Sequence, residues 1–243
     1  MRKLSVILLI ASLVSCGKPK ESLVLSVKNE AITYVDSSAI VNSYSYKNDT
    51  IRNKATNIIT YTISNPTDKK YVLILNREYM YPHLSNKAVR PGSIGYFIKD
   101  ANDSIVNCIP GIIDTFEAPV LDCGDCIIQE RIKNYNKLSI SEKYSLQADE
   151  YLRNSVTIFP GEIRTFKALT MLPVVLERSE NGGGILRYKE LKDDYTFELV
   201  YNCRAEVFKN SLPQYIIEEL KNNNVEIFDG TLVSNKVSLR KVQ

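Results

Sequence analysis

From Tyr195 to Cys203 the chain reads Tyr-Thr-Phe-Glu-Leu-Val-Tyr-Asn-Cys, so that Tyr195, Phe197, Leu199, Tyr201 and Cys203 alternate with Thr196, Glu198, Val200 and Asn202. A period of two is the signature of a strand, because successive side chains point to opposite faces of a sheet. The register turns Leu199 into a core and Glu198 out of it. A nine-residue segment of this kind cannot exist alone, since its edges and its apolar face both need partners, and the rest of the chain supplies them.

Leu23, Leu25 and Val27 alternate at the start of the body, and Ala31 to Val35 is a weaker candidate of the same kind. Ile59, Tyr61 and Ile63 share a face opposite Thr60, Thr62 and Ser64. Asn65-Pro66-Thr67-Asp68-Lys69-Lys70 then turns the chain into Tyr71–Leu75, as a hairpin or a tight connection between sheets. Further strands are expected at Ile94–Lys99 and Ser104–Ile109 around the turn Asp100–Asp103, at Val156–Phe159 and Ile163–Met171 around Pro160-Gly161-Glu162, and as a pair at Val225–Phe228 and Leu232–Leu239. Residues 36–57 are polar and read as a long loop or irregular edge. Asn181-Gly182-Gly183-Gly184 reads as a flexible loop, with no Lys-Ser or Lys-Thr after it to cradle a phosphate. Residues of about 110–154 interrupt the β pattern. There Ser139-Ile140-Ser141-Glu142 resembles a capping box before a short helix over Lys143–Arg153, and Pro213–Leu220 suggests another helix. Short strands joined by turn chemistry, without β-α-β alternation, make the expected fold mostly β, an antiparallel sandwich with a partly helical insertion.

Within that class a resemblance can be stated. Ile59-Thr-Tyr-Thr-Ile-Ser-Asn-Pro66, Tyr96-Phe97-Ile98-Lys99-Asp100, Ser104-Ile105-Val106 and Pro160-Gly161-Glu162 with Phe166 resemble immunoglobulin-like envelope domains. They are also similar to the proteinase-inhibitor type of that sandwich. Asp193 and Tyr195 resemble a tyrosine corner. The chain departs from antibody domains in having no cysteine in the 58–64 strand.

The N-terminus speaks of location. Arg2 and Lys3 precede an apolar run from Leu4 to Leu13, too short for a spanning helix, and small residues follow it. Leu13-Val14-Ser15-Cys16 resembles the lipobox of bacterial lipoproteins. The resemblance implies a signal peptide over 1–15, acylation of Cys16, a lipidated tether over 16–22 and one elaborated body over 23–243. Gly17–Ser22 is polar and reaches at most about 20 Å, so the body stays close to the bilayer. No acidic cluster follows Cys16, which favours the periplasmic face over the cell surface. Loss of Arg2 and Lys3 lowers the basic count from 31 to 29 against 28 acids. That near-neutral balance argues against a nucleic-acid partner.

Catalytic and metal chemistry find little support. His83 is the only histidine, and no Ser-His or Cys-His arrangement surrounds it. With Tyr79 and Tyr81 it forms either a binding loop or an aromatic core corner. Asp100, Asn102 and Asp103 lack the downstream Glu and Gly spacing of a calcium loop, which leaves a hairpin turn. No metal site, cofactor or catalytic set is expected.

Cys123-Gly124-Asp125-Cys126 has the outline of a redox motif without its lead-in strand. In an exported protein the four cysteines after Cys16 are expected to pair. The short Cys123–Cys126 loop closes easily, leaving Cys108–Cys203, with the two crossed pairings as alternatives. The expected function is a membrane-tethered, non-enzymatic module that binds an envelope protein. The alternative is thiol–disulfide or metal handling through Cys123 and Cys126.

Overall fold

The computed structural model describes residues 22–41, 45–83, 93–111, 151–179, 182–210 and 212–242. Within them the chain is mostly β, arranged in several sheets. The first two strands, β1 (Val24–Val27) and β2 (Ala31–Tyr34), are consecutive but join different sheets. β1 pairs antiparallel with β5 (Thr56–Ser64), whose other edge carries β11 (Ile163–Met171). β2 instead runs parallel to β17 (Val237–Lys241), and that sheet continues through β14 (Thr196–Cys203), β8 (Ser93–Lys99) and β7 (Asn76–Pro82). β16 (Gly230–Val233) also pairs with β14.

The change of sheet between β1 and β2 is held by asparagine amides that imitate a strand. Asn29 Oδ1 accepts from Thr60 N at 2.8 Å while its Nδ2 donates to Ile58 O at 2.9 Å. Asn57 does the same to the other sheet, accepting from Thr33 N at 2.7 Å and donating to Thr33 O at 2.8 Å. Asn235 covers β1, accepting from Val27 N at 2.8 Å and donating to Val27 O at 3.3 Å. A primary amide carries both a donor and an acceptor, so one side chain can occupy a rung of a ladder and satisfy backbone groups that burial would otherwise orphan.

The two sheets face each other across a core of tyrosine and aliphatic side chains. Ile59, Tyr61 and Ile63 of β5 and Phe166 of β11 meet Tyr96 and Ile98 of β8 and Phe197, Leu199 and Tyr201 of β14. Tyr61 stacks on Phe166 with ring centroids 5.3 Å apart, and Tyr96 on Phe197 at 4.8 Å. Tyrosine hydroxyls then tie elements together. Thr170 of β11 bonds to Tyr96 at 3.3 Å, and Tyr201 accepts from the backbone N–H of Ile74 at 3.2 Å. Ile74 lies in β6 (Lys70–Ile74), the middle of a small sheet between β10 (Ser155–Ile158) and β15 (Val225–Ile227). A further sheet joins β12 (Val174–Ser179), β13 (Gly182–Arg187) and β9 (Ile109–Gly111), and β3 (Ile40–Val41) pairs with β4 (Ser45–Tyr46).

Several expectations are corrected. Glu198 is buried, because β14 is covered on both faces; its Oε2 meets Lys99 Nζ at 2.6 Å, an ion pair that answers the buried charge. The pairing is not wholly antiparallel, since β2–β17, β7–β8 and β6–β15 run parallel. Residues 36–57 hold a helix, α1 (Asp49–Ala55), capped by Asn48 Oδ1 accepting from Ile51 N at 2.9 Å. Gly182–Gly184 belong to β13, paired in register with Glu177–Ser179. Ser104–Ile109 forms only a bridge between Ile105 and Lys99 before β9 begins. The last part of the chain makes three strands, β15, β16 and β17, in place of a pair. It follows α2 (Ala205–Lys209) and α3 (Gln214–Asn222), the latter starting directly after Pro213 as the sequence suggests. Asn65–Lys70 links β5 to β6 in a different sheet, so the turn is an inter-sheet connection. Of the expected insertion only 110–111 and 151–154 are described, the latter helical. Among the described residues no helix is long and apolar enough to cross a membrane.

Candidate functional site

β2 and β17 run side by side and end together, at Tyr34 and Lys241. The ladder closes with Val242 N donating to Tyr34 O at 2.9 Å. Beyond that end the segment Lys189–Asp193 crosses over, leaving a solvent-open cleft of about 540 Å³. Its floor is apolar, from Tyr34, Val35 and Leu191, all buried. Its walls are charged, with Asp36, Glu190 and Asp193 interspersed among Lys189, Lys192 and Lys241.

Each wall group has a definite bonding state. Asp36 caps the short 3-10 turn Ser37–Ala39, its Oδ1 accepting from Ser38 N at 2.9 Å. Its other oxygen pairs with Lys241 Nζ. That hydrogen bond, with those from Ser38, holds the Asp36 carboxyl far below the usual carboxylate range, and the same bond pushes Lys241 up. Lys241 N donates to Asp193 Oδ1 at 2.6 Å. Burial, then the Asp193 carboxylate, pushes the Tyr34 phenol up to about 12. Ser37 Oγ donates to Lys189 O at 2.9 Å. Lys192 and Glu190 approach to 3.7 Å. Near neutral pH neither Asp36 nor Tyr34 exchanges a proton, and the Ser37 hydroxyl proton is already committed. The cleft therefore offers fixed charges and a small apolar floor.

The residues singled out from the sequence lie elsewhere. Tyr79 and Tyr81 belong to β7, a strand that runs parallel to β8. His83 follows that strand. Its backbone N–H donates to Tyr96 O at 2.8 Å, and its ring donates to the Val200 carbonyl and lies tilted against Phe97 at 5.3 Å. Burial lowers the imidazole pKa below its ordinary value. Asp100 makes the expected turn, its Oδ1 accepting from Asn102 N and Ser104 N, both at 2.9 Å. Among the described residues no cluster of His, Cys, Asp and Glu is disposed to hold a metal ion.

Cys108 and Cys203 are both buried, and among the described residues no disulfide forms; the Cys108–Cys203 bridge expected from the sequence is not made. Cys203 sits in register with Gly230 on β16, while the Cys108 thiol lies against the hydroxyls of Tyr188 and Tyr96 in the core. Cys16, Cys123 and Cys126 lie outside the described residues. At the suggested tyrosine corner Tyr195 packs on the core, and the bond to the backbone is made by Asp193 to Lys241 N.

The cleft residues other than Asp193 escaped the reading by pattern. The available signal was the charge density of Lys189-Glu190-Leu191-Lys192-Asp193-Asp194, a run too polar for a strand and long enough to border a site. No family model matches the chain, and neither a search of curated proteins nor one of solved structures finds a match.

Proposed function

We propose that this chain is a lipid-anchored, non-enzymatic protein of the bacterial cell envelope, periplasmic in orientation, with an immunoglobulin-like body that binds a protein partner. The strand order supports the sandwich class. The N-terminal segment is split between sheets, β1 antiparallel to β5 and β2 parallel to β17, while β5–β11 and β8–β14–β17 form the two facing layers. An immunoglobulin-like sandwich likewise packs two sheets face to face around one core, and this likeness supports the reading. The lipobox-like Leu13–Cys16 supports the anchor.

The observation that carries the binding role is the cleft and its position. β1 leaves the tether at the Ser64 end of β5, whereas Thr33 meets Asn57 at the other end, next to the cleft. The nine residues of β5 separate the two ends by about 26 Å at about 3.3 Å per residue. Anchorage leaves the cleft accessible. Small-molecule pockets are enclosed and mostly apolar; an open cleft rimmed by both signs of charge suits a peptide segment, for which charge pattern supplies specificity.

A photo-crosslinker at Lys189 in intact cells should give one discrete adduct, and the same probe at Val233 none. Adding Lys192→Glu should abolish it. The same adduct from both positions, or one indifferent to charge reversal, overturns the assignment. The thiol–disulfide reading rests on Cys123 and Cys126. It displaces this one if the purified chain exchanges a test dithiol and a Cys123→Ser, Cys126→Ser variant does not.

A further inference from the structure

We propose that the outer face of the β1–β5–β11 sheet rests on the bilayer to which Cys16 is tethered, an inference that rests on the lipid-anchor reading above. The pairing register arranges this face in rows. Val24, Ser64 and Ile163 form the row nearest the tether, followed by Ser26, Thr62 and Thr165, then Lys28, Thr60 and Lys167, then Ile58 with Leu169, and Thr56 with Met171.

Three large aliphatic side chains stand out of it, with Ile58 58%, Leu169 60% and Ile163 67% exposed. Ile58 and Leu169 are direct cross-strand partners, so they present one continuous apolar ridge. No carboxylate occurs in any of these rows, although the chain carries 28 acidic residues. Lys28 and Lys167 flank Thr60 in the row beside the ridge, and neither has a carboxylate partner among the described residues.

Aliphatic side chains beside unpaired lysines and hydroxyls match an anionic headgroup layer. The lysines meet phosphate, the hydroxyls bond headgroup oxygens, and the ridge enters the acyl boundary. The tether selects this occupant over others. Gly17–Ser22 joins Cys16 to the strand that forms one border of the face, and its six residues reach at most about 20 Å. The bilayer is thus held within contact range at high effective concentration. The cleft belongs to the end of the other sheet and stays uncovered.

The chain contains no tryptophan, so a single introduced indole reports alone. The full chain carrying Leu169→Trp is expressed in a lipoprotein-processing bacterium and purified from membranes. It is then reconstituted in vesicles of phosphatidylethanolamine and phosphatidylglycerol brominated at mid-chain. Its emission should be quenched. Val233→Trp, on the outer face of the opposite sheet, should not be quenched. Lys28→Ala with Lys167→Ala should lower the docked-to-undocked ratio roughly thirtyfold, at about fivefold per lysine, and salt should act in the same direction. Equal quenching at both positions, or none at Leu169→Trp in an acylated chain, overturns the proposal. So does burial of that indole that grows with protein concentration and is insensitive to bromine, which marks a second copy as the occupant. The mass of the N-terminal peptide separates the two readings: an unacylated Cys16 overturns the anchor and the face with it.

Discussion

Asn57 is the position at which a one-residue change tests the logic of the fold most directly. Its amide uses its full hydrogen-bonding capacity. Oδ1 accepts from Thr33 N at 2.7 Å and Thr33 Oγ1 at 3.0 Å, and Nδ2 donates to Thr33 O at 2.8 Å and Ala55 O at 3.1 Å. Only 7% of the residue is exposed. Asn57→Ala removes all of these bonds, each worth about 1 kcal/mol net, and strands backbone groups that water reaches poorly; the expected loss is about 2–4 kcal/mol. That is a large part of the roughly 5–15 kcal/mol that holds a typical domain. Asn57→Asp is the sharper probe, because a carboxylate would face two carbonyls that now receive N–H groups. Its folded-state pKa would be raised, so the variant should be least impaired in acid and weaken further as pH rises through the carboxylate range. Urea unfolding gives the magnitude, with a fall in midpoint of about 1–2 M at a slope near 2 kcal/mol/M. Asn29, half-buried and making two bonds, should cost about 1 kcal/mol or less as Ala. An Asn57→Ala loss no larger than that of Asn29→Ala, or an Asn57→Asp variant whose deficit does not grow with pH, would refute the idea that these amides stand in for strand.

Tyr201→Phe should cost about 1–2 kcal/mol in urea unfolding, since it leaves the buried N–H of Ile74 without its acceptor. Leu199→Asp should unfold the domain, and Glu198→Lys should cost about 2–4 kcal/mol by setting a cation against Lys99 in a buried position, so both lose far-UV signal at lower urea. His83 is held below its ordinary pKa, so the folded state binds fewer protons than the unfolded one; stability should rise with pH up to about 6.5 and fall below it, and His83→Gln should flatten that slope in midpoints measured from pH 5 to 7. The Asp36 carboxyl is depressed, so its contribution is present above about pH 4 and lost as pH falls. Lys241→Met should reduce the acid-side loss, seen as a smaller difference in midpoint between pH 7 and pH 3.

The sequence was most legible where one face of a strand is buried and the other wet. In β5 period two was read from residues alone, and Ile59, Tyr61 and Ile63 lie inward as their alternation requires. It was least legible where that premise fails. β14 alternates as cleanly as any segment, yet Glu198 and Val200 are buried too, because packing on the second face leaves no mark in a period that both arrangements share. The helix α1 was announced by Asn48 before Asp49 and by Arg52 and Lys54 in its last turn, signals outweighed by the polar composition around them. The cleft left only a diffuse mark, the charge density of Lys189–Asp194. Its walls come from Asp36, from Lys189–Asp193 and from Lys241, brought together because β2 runs parallel to the last strand. A parallel partner so distant in the chain follows from the change of sheet after Val27, and that change depends on amide side chains taking the place of a strand. Asparagines in a polar stretch look like turn residues, and only the backbone groups they meet turn them into rungs.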